Sequence, residues 1–398
     1  MLAESTALSP AKPKPAERPI SVGILLSGRE KFGPYYGGAL ARWTYEVYSR
    51  LPGEVRATVF GFPTDPSDLY SLPHQTSRVS QVCKLVGRVP GLRRHEDWLW
   101  LGALMPKLRD YDVLHVHNRP QWVRLLRRLG YRGRILLHLQ NNHLGHWNGA
   151  SLDQLAPHVD TVVVCSNYLR DTFAPNSIAL ASKTRVTFNG VNTRMFFPRE
   201  ELRQPKMILF TGRFSEDKGV RELVKAFSLV LKTHPDAKLI IAGTPLFGID
   251  SETPYVREVL GLAHSTGRGT QGRIEFAGYV HHDKELPSCF QRASIFTSPS
   301  IFQEPFGLVN AEAMACATPV VGSNRGGIPE VLGDTGLLVN PEDIEAYAAA
   351  LCRMLAKPDY RAQLGKAAYE RCLRMFDWRV IAAEWTGVLQ GLVAGART

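Results

Sequence analysis

Residues 207–243 read "MILFTGRFSEDKGVRELVKAFSLVLKTHPDAKLIIAG", and this stretch decides the fold. "MILFTG" and "KLIIAG" are short apolar runs ending in glycine, as buried strands do. Between them "GVRELVKAFSLVLKTH" sets its apolar residues on one side of a helix. Strands alternating with helices make a parallel sheet. The alternation continues downstream through "IEFAGY", "SIFTSPS", "PVVGSN" and "GLLVN". Upstream, a second series runs through "ISVGILLSG", "ATVFGF", "DVLHVHN", "RILLHLQ" and "TVVVCS", with "GGALARWTYEVYSRL" as the helix after its first strand. The turn residues, prolines and charges of "NGVNTRMFFPREELRQPK", residues 189–206, read as a linker. The expectation is two doubly wound α/β domains in tandem, with ligands at the carboxyl ends of the strands and in the cleft between the sheets.

The bulk numbers agree. At 398 residues the chain exceeds the size of a single core. A hydrophobic content of 44% with 21% charged residues describes an ordinary globular protein. The opening "MLAESTALSPAKPKPAERP" is polar and proline-rich, so residues 1–18 are expected to be a disordered leader. It lacks the apolar centre of a secretory signal, and no apolar run is long enough to cross a bilayer; the expected location is cytoplasmic. Six scattered cysteines without a C-x-x-C pair fit reduced thiols and argue against a disulfide framework or a zinc site.

The formal charge of +11 is uneven. From Lys84 to Arg134, twelve Lys/Arg face four acids, so that segment carries +8. Anionic lipid headgroups at the inner face of the plasma membrane or a phosphorylated acceptor would be attracted there, and a merely solvated basic face fits equally. No aromatic platform or nucleic-acid motif is interleaved, so no nucleic-acid partner is expected.

Three constellations carry chemistry. In "IFQEPFGLVNAEAMACATPVVG", residues 301–322, Glu312 is the only charged residue between Glu304 and Arg325. A helix starting near Gly307 offers free amides and its dipole to a diphosphate. Glu312, a turn into that helix, is costly unless hydrogen-bonded, and ribose hydroxyls are suitable donors; an Arg partner is the structural alternative. Glu304 reaches a second set of hydroxyls. In "FTGRFSEDKG", Arg213 and Lys218 follow the first strand of the second half and would neutralise the diphosphate from the cleft. In the first half, Gly37-Gly38 forms a strand-to-helix turn able to approach a phosphate or sugar, although it is no G-x-G-x-x-G fingerprint. His138 ends a strand and is a candidate for the sugar or the reaction centre. With its neighbours His115, His117, His143 and His146 it would form a metal site only if several loops cooperated.

"EPFGLVNAEAMACATPVV" resembles the signature of family 4 glycosyltransferases, retaining enzymes of the two-domain GT-B fold. "GRFSEDKG", "FNGVNTRMFFP", "VVVCSNYLRDTF" and "NRGGIPEVL" are similar to the family's other segments in the expected order, over roughly residues 19–390. The resemblance implies an acceptor domain at 19–196, joined by a C-terminal helix at 379–398, and a nucleotide-sugar-binding domain at 203–378. It implies that Arg213 and Lys218 hold the diphosphate, Glu304 the donor sugar and the Phe306-Gly307-Leu308 amides its phosphate. Glu312 would hold the ribose, Gly37-Gly38 would approach the phosphate from the other domain, and His138 would line the sugar. No cofactor or metal is implied. The partners would be a nucleotide sugar, most simply a UDP-sugar, and a glycan or lipid-linked acceptor of cell-envelope or spore-coat polysaccharide. Ala317 stands where the family has glycine. An epimerase or phosphorylase of the same fold, or a non-catalytic coat protein, are the competing readings.

Overall fold

The computed structural model describes residues 18–26, 30–34, 38–77, 79–80, 82–83, 93–244, 253–265 and 272–394. Gly37 and the expected leader up to residue 17 lie outside these, as do Lys84 and Arg88 of the basic segment.

The first sheet contains β1 (Ile20–Leu25), β2 (Val55–Gly61), β3 (His74–Thr76), β4 (Val113–His117), β5 (Arg134–Leu139), β6 (Thr161–Val164) and β7 (Thr184–Val186). All neighbours are parallel, in the order β3-β2-β1-β4-β5-β6-β7. The second contains β8 (Met207–Thr211), β9 (Lys238–Ala242), β10 (Ile274–Gly278), β11 (Ile295–Ser298), β12 (Val320–Ser323) and β13 (Leu337–Val339). It too is wholly parallel, in the order β10-β9-β8-β11-β12-β13. This is the GT-B architecture of two Rossmann-like domains. Each strand order reverses once, between β1 and β4 and between β8 and β11, and a crevice opens at such a switch point. The edge strands β3 ("HQT") and β7 ("TRV") escape sequence reading because they are both short and polar, whereas the equally short β13 ("LLV") shows as an apolar run.

Burial explains the strand composition. Val113, Leu114 and Val116 of β4 and Ile135, Leu136 and Leu137 of β5 are fully buried, because helices cover both faces of the sheet. The helix Trp378–Ala394 returns to the first sheet and packs on the helix Ala39–Tyr48, with the Trp43 and Trp385 ring centroids 4.7 Å apart. The Trp385 indole N–H donates to the Tyr48 hydroxyl at 3.1 Å. The two passages of the chain between the sheets lie side by side: Val191 N–H donates to Phe376 O at 2.6 Å, and Val191 bridges Asp377 in parallel. Asp377 in turn accepts from Thr193 Oγ1 and from Arg379, so a single carboxylate ties both crossings.

Candidate active site

The site grows from the β8–β11 switch point. After β8, a one-turn helix at Glu216–Lys218 ends at Gly219 with φ +69°. A Cβ there would lie 1.9 Å from the Pro299 carbonyl oxygen, so only glycine lets the two loops meet. That approach brings Lys218 onto Glu304, with which it forms an ion pair. Ser300 Oγ adds a bond to the same carboxylate at 3.0 Å.

After β11, Gly307 takes a left-handed conformation, φ +84°, and caps the helix Leu308–Ala315. Asn310 holds this start in place: it accepts from Ser298 Oγ at 2.6 Å and donates through Nδ2 to Gly307 O at 3.1 Å. Lys218, Ser300, Glu304, Gly307, Leu308 and Asn310 line one pocket with the end of β8. The first amides of a helix and an ammonium group on one pocket wall are the means of holding an anion. Phe306 turns its ring away from this pocket into the core, 5.6 Å from Phe376 and 6.0 Å from Phe188, which anchors the loop to the crossing of the domains. Gly327 N–H donates to Glu304 O at 2.7 Å, so the segment "NRGGIPEVL" supports the loop from behind.

Several expected residues are placed differently. Glu312 is buried, but its Oε1 accepts from His282 Nε2 at 2.7 Å instead of pairing with an arginine. His282 Nδ1 meets Asp283 Oδ1 at 2.6 Å, and Arg42, from the first domain, donates to Asp283 at 2.5 Å. Burial pulls the His282 pKa down, but the charges and bonds of Glu312 and Asp283 prevail and raise it to about 9. Burial likewise works against the Asp283 carboxylate, and the bonds from His282 and Arg42 overcome it, holding its pKa well below the usual range. Arg213 does not line the pocket; it is half exposed and paired with Asp217 at 2.9 Å, within its own loop. Gly38 caps the helix Ala39–Tyr48, and the Glu30 carboxylate already accepts from Ala41 N–H at 3.1 Å at that terminus.

The expectation for His138 is corrected. It stands near the carboxyl end of β5, but strand parity puts its side chain on the sheet face shared with His115 and His117, and all three are fully buried. The Trp43 ring centroid lies 4.4 Å and that of Trp385 5.2 Å from its ring, so two indoles cover it in this structure and it does not line the pocket around Lys218. Adjacent strands, not cooperating loops, bring the three imidazoles together, with ring nitrogens within 4.8 Å of one another. Desolvation holds them neutral: the His115 and His138 pKa values fall well below the ordinary range, and that of His117 to about 3.

Sequence reasoning missed Ser300, Asn310, His282, Asp283 and Arg42. It also missed Glu330, whose carboxylate crosses to the first domain and accepts from Asn167 N, Asn167 Nδ2 and Tyr168 N at 2.8, 2.8 and 2.6 Å. Asn310 and Glu330 stand in recognisable segments; Ser300, His282, Asp283 and Arg42 had no signal, because each acquires its partner only through folding.

Comparison with known proteins fits this geometry. Residues 36–194 match the family model described as Glycosyltransferase Family 4, and residues 192–371 match Glycosyl transferases group 1. Spore coat protein SA of Bacillus subtilis (strain 168) is 28% identical over 310 residues, 73% of this chain and 81% of that protein. An alpha-maltose-1-phosphate synthase of Mycolicibacterium smegmatis is 34% identical over 248 residues, 56% of this chain and 61% of that protein. Among solved structures, sucrose-phosphate synthase from Thermosynechococcus elongatus superposes with a TM-score of 0.74 at 23% identity, covering 94% of this chain and all of that one. Anabaena Alr3699/HepE in complex with UDP-glucose gives 0.69 at 19% identity, with 94% and 100% coverage.

Proposed function

The chain belongs to the family 4, group 1 glycosyltransferases, and we propose that it is a retaining enzyme that moves a sugar from a nucleoside-diphosphate sugar, most simply a UDP-sugar, to a glycan or lipid-linked acceptor in cell-surface polysaccharide synthesis. The observation that carries this reading is the Lys218–Glu304 pair beside the helix start at Gly307. Lys218 and the first amides of the helix neutralise the diphosphate and the charge that grows as it departs. Glu304, released from Lys218, accepts from donor-sugar hydroxyls, and Glu312 accepts from the ribose. Arg213 joins the diphosphate if its loop turns inward on binding. With ammonium and helix amides facing the phosphates, the transfer needs no metal and no cofactor. Complexes of a neighbouring structure with UDP and UDP-glucose support the donor class, and the likeness to a spore coat protein supports the cell-surface pathway.

That same likeness favours one other reading, a non-catalytic coat protein that keeps the fold to bind sugars. Among the described residues no helix is long and apolar enough to cross a membrane. A cytoplasmic enzyme held at the inner membrane face by the basic segment fits the acceptor class, and co-sedimentation with anionic vesicles at low salt tests it. The deciding experiment is a thermal-shift panel with UDP, GDP, ADP and their sugars, with and without EDTA, followed by donor-dependent nucleotide release. A ligand at a hundred times its Kd stabilises by roughly 2.7 kcal/mol. Stabilisation by one nucleotide regardless of EDTA, with turnover lost in Glu304→Ala and Lys218→Ala, is expected. Binding without turnover on any acceptor would favour the coat protein.

A further inference from the structure

We propose that Arg42, Asp283 and His282 form a relay that couples occupation of Glu312 to closure of the two domains, with His282 as the positioning residue for that carboxylate. The inference rests on the reading of Glu312 as the ribose acceptor.

Glu312 sits on the helix Leu308–Ala315 with 4% of its side chain exposed, and a carboxylate so enclosed must be hydrogen-bonded. His282 Nε2 supplies that bond at 2.7 Å to Oε1, while Oε2 has no hydrogen-bond partner among the described residues. One oxygen is therefore fixed by His282, and the ribose reading assigns hydroxyl donors to the other. His282 Nε2 faces Glu312, and its Nδ1 lies between the Asp283 carboxylate at 2.6 Å and the Arg42 guanidinium at 3.0 Å; the two carboxylates outweigh the guanidinium and favour an imidazolium that donates to both. The Phe196 ring meets the imidazole edge-on at 5.4 Å and limits its tilt.

The chain of contacts then leaves the domain. Arg42 belongs to the helix Ala39–Tyr48 of the first domain, yet its Nη1 lies 2.5 Å from Asp283 Oδ1 and its Nη2 3.4 Å from Oδ2, with about a quarter of each side chain exposed. Two cations and two carboxylates make a neutral set only while the domains are together. Separation withdraws Arg42 and leaves a lone imidazolium between two carboxylates. Other groups facing the set are Tyr70, whose hydroxyl lies within the field of Arg42 and Asp283, and Cys316 behind Glu312. Neither supplies a replacement cation. The wall that would hold the ribose and the lip that closes the cleft are thus parts of one ion-pair network, and linkage requires each to strengthen the other.

The test is calorimetric titration of the full chain with UDP from pH 7 to 10, together with small-angle scattering of the ligand-free protein. Arg42→Met and Asp283→Asn are each expected to weaken UDP about tenfold, within the usual range of coupling between sites. The double variant should be no weaker than either single variant, and Arg42→Lys should recover part of the loss. Wild-type affinity should fall as pH rises through about 9, and His282→Gln should lack that fall. Scattering should give a larger radius of gyration for Arg42→Met than for wild type. Single variants that bind as wild type, losses that multiply in the double variant, or one pH profile shared by wild type and His282→Gln would overturn the relay. If wild type binds no nucleotide, the nucleotide-sugar reading fails, and an unchanged radius in Arg42→Met separately refutes the closing contact.

Discussion

Ala317 has φ +52°, a left-handed conformation in which an L side chain crowds its own carbonyl. The surroundings hold it there. Its N–H donates to Met314 O at 2.9 Å, and Arg203 donates to the carbonyls of Cys316 and Ala317 at 3.2 and 3.4 Å. Gly365 of the neighbouring helix lies so close that a Cβ would sit 2.4 Å from Ala317 O. The turn cannot relax, so the left-handed cost of roughly 1–2 kcal/mol stays in the folded state. Ala317→Gly removes it, while the freer unfolded chain takes back about 0.4–1 kcal/mol. The net expectation is a gain of about 0.5–1 kcal/mol. With a urea slope of about 3 kcal/mol/M, the midpoint should rise by about 0.2–0.3 M. Nucleotide affinity should not change, because Ala317 does not line the pocket. An unchanged or lower midpoint would refute the argument that this turn stores strain.

Gly219→Ala should act in the opposite direction and on function as well. Its Cβ would meet the Pro299 carbonyl, so the loops must part; a loss of about 2 kcal/mol or more and weaker UDP binding are expected, and a variant within 0.5 kcal/mol of wild type would count against the close approach. Glu330→Ala removes all three bonds to Asn167 and Tyr168, and hydrogen exchange of those two amides should quicken; unchanged protection would show that the carboxylate does not hold the interface. Stability should fall on both sides of about pH 6.5. The depressed pKa values of His115, His117 and His138 give stability that is present above 6.5 and lost as pH falls below it, with a slope approaching roughly 4 kcal/mol per pH unit for three protons. The raised pKa of His282 gives stability that is complete below 6.5 and lost as pH rises through about 9, on the order of 3 kcal/mol at most. Urea midpoints from pH 4.5 to 9.5, followed by tryptophan fluorescence, measure both limbs, and a flat acid limb would mean that the three imidazoles are not held neutral.

The alternation around residues 207–243, repeated on both sides of the 189–206 linker, determined the parallel sheets and the tandem arrangement by itself, because strand and helix periods are local properties. The helix start at Gly307 was equally legible: only glycine takes φ +84° there without strain. Lys218 and Glu304 could be nominated from their places after two strands, although their pairing depends on the approach of Gly219 to Pro299. Tertiary structure decided the rest. His138 reads as a cleft residue until the returning helix Trp378–Ala394 lays Trp385 over that face of the sheet. Glu312 shows in sequence as a carboxylate in need of a partner, but His282 stands thirty residues away and Arg42 in the other domain. Sequence carries what each residue asks of its own backbone; which distant charge answers a buried one is settled only when the sheets face each other and water is excluded between them.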